Sequence, residues 1–227
     1  MAELHYWVKC DEMLSKSHLL IAGASGSGKS VYINDLLYTL LTYQPDEKQI
    51  ILIDPKRVEL SPYKHVPHCI GYAYENSAIL ELLRKACEIM ERRYDQMERK
   101  GLRKWGGSEL YIVIDEFADL MVTMPKQVKP LVQRLAQTAR AAGIHLWIAT
   151  QSPSRAVIPA QVVLNITDRI ALHCNDKMES RQILGEAGAE TLPRYGKAIY
   201  KSPEGTRLMD IPFTPDSDIN ARIQFWT

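Results

Sequence analysis

The sequence predicts an α/β protein: a mostly parallel sheet flanked by helices, with a β-hairpin near its C-terminus. Three observations predict it. Short apolar runs, each bounded by Gly, Pro or a polar residue, recur along the chain as buried strands do. Segments with apolar residues at helical spacing lie between them. The two kinds alternate through most of the 227 residues, the order of βα units in a parallel sheet.

In chain order, His18-Leu19-Leu20-Ile21-Ala22 is the first strand, and Val31 to Tyr43 follows with a helical pattern. Gln44-Pro45-Asp46 closes that helix, and Gln49 to Ile53 is the second strand. Asp54-Pro55 ends it, because proline drives its predecessor towards extended geometry. Cys69 to Tyr72 is a short strand. Ser77 to Lys100 is the strongest helix, with Ile79, Leu82, Leu83, Ala86, Ile89, Met90 and Tyr94 on one face. Its charges, Glu91-Arg92-Arg93 and Glu98-Arg99-Lys100 among them, are expected to form a solvated face and not a DNA patch. Gly101 and Gly106-Gly107 end it. Leu110 to Ile114 is a strand, Lys126 to Ala142 a helix stopped at Gly143, and Ile144 to Ala149 a further strand. A loop with Pro153 and Pro159 leads to a strand at Asp168 to His173. Gly196 to Lys201 and Thr206 to Ile211, around Ser202-Pro203-Glu204-Gly205, read as a hairpin. No internal repeat or low-complexity linker interrupts the chain, so residues 1–227 are expected to form one domain.

Composition narrows the class. An apolar fraction of 46% and a charged fraction of 24% are those of an ordinary globular protein. No apolar stretch approaches the ~20 residues that span a bilayer, and Met1-Ala2-Glu3-Leu4-His5 lacks a signal-peptide profile. A cytoplasmic protein with no membrane segment is expected. Cys10, Cys69, Cys87 and Cys174 form no C-x-x-C pair, and neither His68-Cys69 nor His173-Cys174 has a second pair at zinc spacing, so no structural metal is assigned. A net charge of +1 gives no global basic footprint, so any nucleic-acid contact must be local or built by several copies.

The segment after the first strand, Gly23-Ala24-Ser25-Gly26-Ser27-Gly28-Lys29-Ser30, fits the phosphate-cradling pattern G-x-x-x-x-G-K-[ST]. Its glycines let backbone N–H groups converge on a phosphate at the start of a helix, whose dipole adds positive potential. Lys29 is expected on the β- and γ-phosphates of ATP, and the Ser30 hydroxyl on Mg²⁺, with Val31 completing the nucleotide-contacting segment. A second pattern, Tyr111-Ile112-Val113-Ile114-Asp115-Glu116, is a strand ending in two carboxylates. Asp115 is expected to hold Mg²⁺ through its water shell, and Glu116 to activate the attacking water as general base. Thr150-Gln151 ends the strand begun at Ile144, and the Gln151 amide is expected to sense the γ-phosphate. Arg134, Arg140 and Arg155 border that strand. Any of them could act on a neighbouring subunit's nucleotide, and each is equally readable as half of a surface salt bridge.

On these and other residues the chain resembles the motor domain of the FtsK/SpoIIIE family of DNA translocases, within the HerA–FtsK group of ring ATPases. The matching stretches include Asp54-Pro55-Lys56-Arg57-Val58-Glu59-Leu60-Ser61-Pro62-Tyr63, Met90-Glu91-Arg92-Arg93-Tyr94 and Ile114-Asp115-Glu116-Phe117-Ala118-Asp119-Leu120. Others are Arg134-Leu135-Ala136-Gln137, Ala139-Arg140-Ala141-Ala142-Gly143-Ile144-His145 and Ser180-Arg181-Gln182-Ile183-Leu184. The resemblance implies a RecA-like fold, a hexameric ring, ATP hydrolysis at subunit interfaces and double-stranded DNA driven through a pore. It also implies Arg140 as the residue acting on a neighbour's nucleotide, with Arg181 second.

The chain departs from the family in several places. The region from Asp95 to Glu109 is tens of residues shorter than usual. The family's membrane anchor, linker, preceding helical subdomain and winged helix are not in this sequence, which implies a minimal motor of a mobile element or virus, or the excised motor of a larger system. Ser152 and Val163 stand where the family carries arginine and lysine, while Lys177 matches and Arg155 stands nearby. The alternatives are a related motor for genome packaging, conjugative transfer or single-strand unwinding, and a nucleotide switch acting on protein partners. A small-molecule kinase is disfavoured by Asp115-Glu116 and by the lack of a lid-like arginine cluster, and an ABC-type ATPase by the absence of Leu-Ser-Gly-Gly-Gln.

Overall fold

The apolar runs form eight strands: β1 (Leu19–Ala22), β2 (Lys48–Ile53), β3 (Cys69–Ala73), β4 (Glu109–Ile114), β5 (Ile144–Thr150), β6 (Asp168–Ala171), β7 (Lys197–Ser202) and β8 (Gly205–Asp210). The computed structural model describes residues 18–42, 45–154 and 157–227. Its helices are α1 (Lys29–Thr42), α2 (Asn76–Arg99), α3 (Phe117–Thr123), α4 (Pro125–Thr138), α5 (Ala160–Asn165), α6 (Lys177–Leu184) and α7 (Asp216–Trp226). All eight strands join one sheet in the order β3-β2-β4-β5-β1-β6-β7-β8. The pairings from β3 to β6 are parallel, and β7 and β8 close the edge as an antiparallel hairpin.

The period of two along each strand decides which layer a residue joins. Leu19 and Ile21 of β1 pack with Leu36, Leu37 and Leu40 of α1, whereas Leu20 faces the opposite layer. Ile50 and Leu52 likewise face α1, and Ile51 and Ile53 face α2. Both faces are thus covered, which explains why these strands read as unbroken apolar runs. A smaller cluster, with Ala171, Ile183, Leu184 and Ala189, seats α6 beside β6.

Register brings the functional strand ends level. Ala22 of β1 lies opposite Thr150 of β5 on one side and Ala171 of β6 on the other. Ile114 of β4 lies opposite Ile148 of β5 and Ile53 of β2. The residues that follow, Gly23, Asp54, Asp115 and Gln151, therefore emerge along one edge of the sheet. In open parallel sheets that edge is where ligands bind.

The expected helix at 126–142 stops at Thr138. Ala139 to Gly143 instead form a turn, in which Gly143 has φ 64° and donates its N–H to the Arg140 carbonyl at 3.1 Å. The loop expected to run from Pro153 through Pro159 leads into α5. Helices α3 and α5, of 7 and 6 residues, are too short to carry a periodic signal, and α7 buries only Ile219. Among the described residues no helix is long and apolar enough to cross a membrane.

Candidate active site

The phosphate loop is shaped by its own backbone and by the loop after β6. Ala24 N–H donates to the His173 carbonyl at 2.8 Å, Ser27 N–H to Ala24 at 3.1 Å, and Tyr32 N–H to Gly28 at 3.0 Å as α1 begins. Gly26 and Gly28 have φ of 71° and 85°. At Gly23 the constraint is space: a Cβ would lie 2.6 Å from Ser27 Oγ and 2.8 Å from Leu172 Cβ. Ser25 and Gly26 are exposed at the tip, and Val31 is 39% exposed in the first turn of α1.

Lys29 projects from that turn towards the end of β4. Its Nζ donates to Asp115 Oδ1 at 3.0 Å and to the Asp115 carbonyl at 3.3 Å, and both side chains are buried. The next residue, Glu116, is held by the neighbouring strand. Thr150 Oγ1 donates to Glu116 Oε1 at 2.7 Å, and Gln151 N–H reaches both carboxylate oxygens at 3.2 Å. Lys56 Nζ stands 3.6 Å from Glu116 Oε2. Two ammonium groups thus face two carboxylates, so neither buried acid lacks a counter-charge. Ser30 is half-buried in the first turn of α1, and Gln151 is half-buried at the end of β5.

Lys56 lies outside the phosphate-loop and acidic-pair patterns and falls in the Asp54-Pro55-Lys56-Arg57 block that carries the family resemblance. The structure explains the block. Buried Asp54 accepts Leu60 N–H at 3.0 Å through Oδ2 and Arg57 N–H at 3.1 Å through its carbonyl. Arg57 sits at φ 61°, a region costly for a residue with a Cβ, with its guanidinium 3.9 Å from the Tyr74 ring centroid. This tight turn carries Lys56 to Glu116.

A second feature gave no sequence signal. Beside the phosphate loop lies a largely apolar cavity of about 410 Å³, lined by Ser27, Gly28, Val31, Tyr195, Pro212 and Phe213 among others. Tyr195 and Phe213 are 68% and 71% exposed and flank the hairpin, far along the chain from the loop they meet.

The arginines separate by position. Arg134 pairs with Glu91 at 2.7 Å across α4 and α2, the surface salt bridge of the alternative reading. Arg140 is exposed in the turn before β5, at the opposite end of the sheet from Thr150. The seven residues of β5 separate them by roughly 20 Å, so Arg140 does not reach its own phosphate loop. Arg181 is exposed on α6 and lines a separate cavity of about 710 Å³. Arg155 lies outside the described residues. Ser152 is exposed after β5, Val163 is half-buried against the core, and Lys177 is exposed at the start of α6.

The donors present fit ATP and Mg²⁺. Ser27 Oγ is buried with no partner among the described residues, and Ser27 and Gly28 both line the cavity beside the loop. Ser30 and Asp115 offer one hydroxyl and one carboxylate, a sparse all-oxygen set of the kind Mg²⁺ takes while keeping waters and phosphate oxygens. Among the described residues no cluster of three or more His, Cys, Asp or Glu could hold a metal by itself.

A phosphate loop after β1 and an acidic pair after β4, with β5 between them ending in a polar residue, define the P-loop nucleoside triphosphatase class of fold. The chain belongs to the FtsK/SpoIIIE family, whose model matches residues 5–111 and 105–155. It is 39% identical over 238 residues to the DNA translocase FtsK of Chlorobaculum tepidum, an alignment covering 95% of this chain and 30% of that protein. The chain therefore spans about a third of the curated relatives it matches. Among solved structures it is similar to the pCW3 conjugation coupling protein TcpA, in its monomer form with ATPγS. That match has TM-score 0.81 and 24% identity, and covers 93% of this chain and 65% of that one. It is also similar to EssC (ATPases 2 and 3) from Geobacillus thermodenitrificans, with TM-score 0.79 and 18% identity, covering 93% of this chain and 43% of that one. These likenesses establish a P-loop ATPase fold.

Proposed function

We propose that this chain is the core of an ATP-hydrolysing motor that moves double-stranded DNA, working as a ring of identical copies, six by the family resemblance. The observation that carries the reading is the grip on Glu116: a carboxylate at the end of β4, oriented by the Thr150 hydroxyl and the Gln151 N–H of β5, beside a phosphate loop. A switch has no need of so tightly aimed a base. Residues Gly23 to Val31 hold the triphosphate, with Lys29 on its β- and γ-phosphates. The apolar cavity beside Tyr195 and Phe213 takes the base. Ser30 and Asp115 hold Mg²⁺, which when bound neutralises developing charge on the phosphates. Glu116 accepts the proton of the attacking water, and the Gln151 side chain reports the γ-phosphate to the loop that begins at Ser152. Arg140, too far from its own nucleotide, serves a neighbour's.

The DNA part rests on membership of the FtsK/SpoIIIE family and on the DNA translocase FtsK of Chlorobaculum tepidum. One observation favours a second reading, a related motor with another cargo: Ser152 and Val163 supply no charge where family members carry cations, and phosphate contacts dominate DNA affinity. One experiment separates the two: ATP turnover with and without linear duplex DNA at low salt. DNA-stimulated turnover supports the first reading, and turnover indifferent to DNA at every salt concentration sinks it. Lys29→Ala should abolish turnover, and Glu116→Gln should keep nucleotide binding while stopping hydrolysis. Normal hydrolysis by Glu116→Gln would remove Glu116 as the base.

A further inference from the structure

At the end of the sheet remote from the phosphate loop lies a cavity of about 550 Å³ that the site above does not use. Arg103, Lys104 and Arg140 line it, and no carboxylate among the described residues pairs with any of the three. The acid in its wall, Glu109, is already engaged by Lys48 at 2.8 Å and the Tyr111 hydroxyl at 2.7 Å. The cavity is built rather than incidental. Trp105 N–H donates to the Ala141 carbonyl at 2.9 Å, and its indole N–H to Ser108 at 3.1 Å. The Arg93 guanidinium lies 4.8 Å from the Trp105 ring centroid. It also donates to the carbonyls of Ala142 at 2.9 Å, Gly143 at 2.8 Å and Ser108 at 2.9 Å. A Cβ at Gly143 would lie 2.7 Å from the Trp105 ring. Arg93, expected on the solvated face of its helix, is instead buried, and with half-buried Trp105 it locks two loops together: Gly101 to Ser108, which carries Arg103 and Lys104, and Ala139 to Gly143, which carries Arg140.

Three cations without acidic partners on a locked frame bind an anion of high charge density, and a triphosphate is the one that copies of this chain would bring. We propose that this cavity is the second half of the active site, offered to a neighbouring copy. In it Arg103 and Lys104 act with Arg140 on the triphosphate, and Arg93 and Trp105 are positioning residues. The proposal rests on the ring reading above and extends it from one arginine to a preorganised cluster.

The test mixes two inactive halves in a turnover assay with linear duplex DNA at low salt. Arg103→Ala/Lys104→Ala changes only exposed side chains, so its Tm should match wild type while kcat falls about 10-fold or more, the effect of losing charged hydrogen bonds. Lys29→Ala protein has no working phosphate loop but an intact cationic face. An equimolar mixture should exceed the sum of the separate rates, because one interface then combines the two good halves. An unchanged kcat, or a mixture that gives only the sum, overturns the proposal. If Arg140→Ala is restored by Lys29→Ala but the double variant is not, the single-arginine reading stands and the cluster falls. A wild-type chain that hydrolyses no ATP at any concentration overturns both readings. Trp105→Leu should slow kcat and be restored in the same mixture. Failure of that mixture to restore turnover would remove its positioning role.

Discussion

Glu116 is held by a strand it does not belong to, and its aim depends on Thr150. The Thr150 hydroxyl is fully buried and donates its hydrogen to the carboxylate at 2.7 Å. Thr150→Val keeps the shape and removes that donor, so kcat should fall about 10-fold with KM nearly unmoved. Steady-state ATP kinetics check this, and a rise in KM alone would show that Thr150 serves binding instead. At this scale the sequence motifs were informative where residues are neighbours in the chain. Lys29 and Asp115 were legible because each sits in a short pattern, and they do meet, at 3.0 Å. Thr150 and Lys56 were not assigned to Glu116, because their roles exist only once β5 and the turn after β2 lie beside β4.

At the scale of elements, α1 is tied to the segment after the hairpin through one buried acid. Asp35 is fully buried and accepts a hydrogen bond from the Thr214 hydroxyl. Burial pushes its carboxyl up from 3.8 to about 6, and the Thr214 bond only partly opposes this. The folded state thus holds a proton that the unfolded chain releases near pH 4. The Asp35 contribution to stability is complete below that pH and is lost as pH rises through about 6. Asp35→Asn removes the titration, so its stability relative to wild type should rise between pH 4 and 6.5, by up to about 3 kcal/mol. Urea melts of both proteins across that range check it, and a gap independent of pH would refute it. The helix at Asn76–Arg99 was readable from spacing alone, since a 24-residue element shows its apolar face many times over. The short helices α3 and α5 and the weakly apolar α7 were not, because too few turns bury too few residues.

At the scale of the whole molecule, Arg140 and the phosphate loop lie at opposite ends of one sheet. If both serve hydrolysis, a lone chain has half a site, and turnover per chain should rise steeply with protein concentration before levelling off. Turnover strictly proportional to concentration from nanomolar to micromolar protein would mean that the chain works alone. In the proposed ring, duplex DNA would meet several copies of this chain at once. Ser152 is exposed just beyond the strand that carries Gln151. Ser152→Arg should tighten duplex DNA binding and steepen the plot of log affinity against log salt by about 0.9 per added phosphate contact. Anisotropy titrations at several salt concentrations check this. An unchanged slope would mean that the loop does not touch DNA.

Sequence alone determined the local patterns: a glycine-rich loop ending in Lys29-Ser30, an acidic pair at the end of a strand, and strands apolar enough to be buried on both faces. These are local properties, written in residues within a few positions of one another. Tertiary structure alone decided which distant groups share a site. Strand order set β4 between β2 and β5, register levelled their ends, and so Lys56 and Thr150 came to Glu116, while Phe213 came to line one cavity with Gly28. The same geometry placed Arg140 at the opposite end of the sheet from the phosphate loop. Spacing along a chain carries no record of such meetings, because they arise from packing energies summed over the whole sheet.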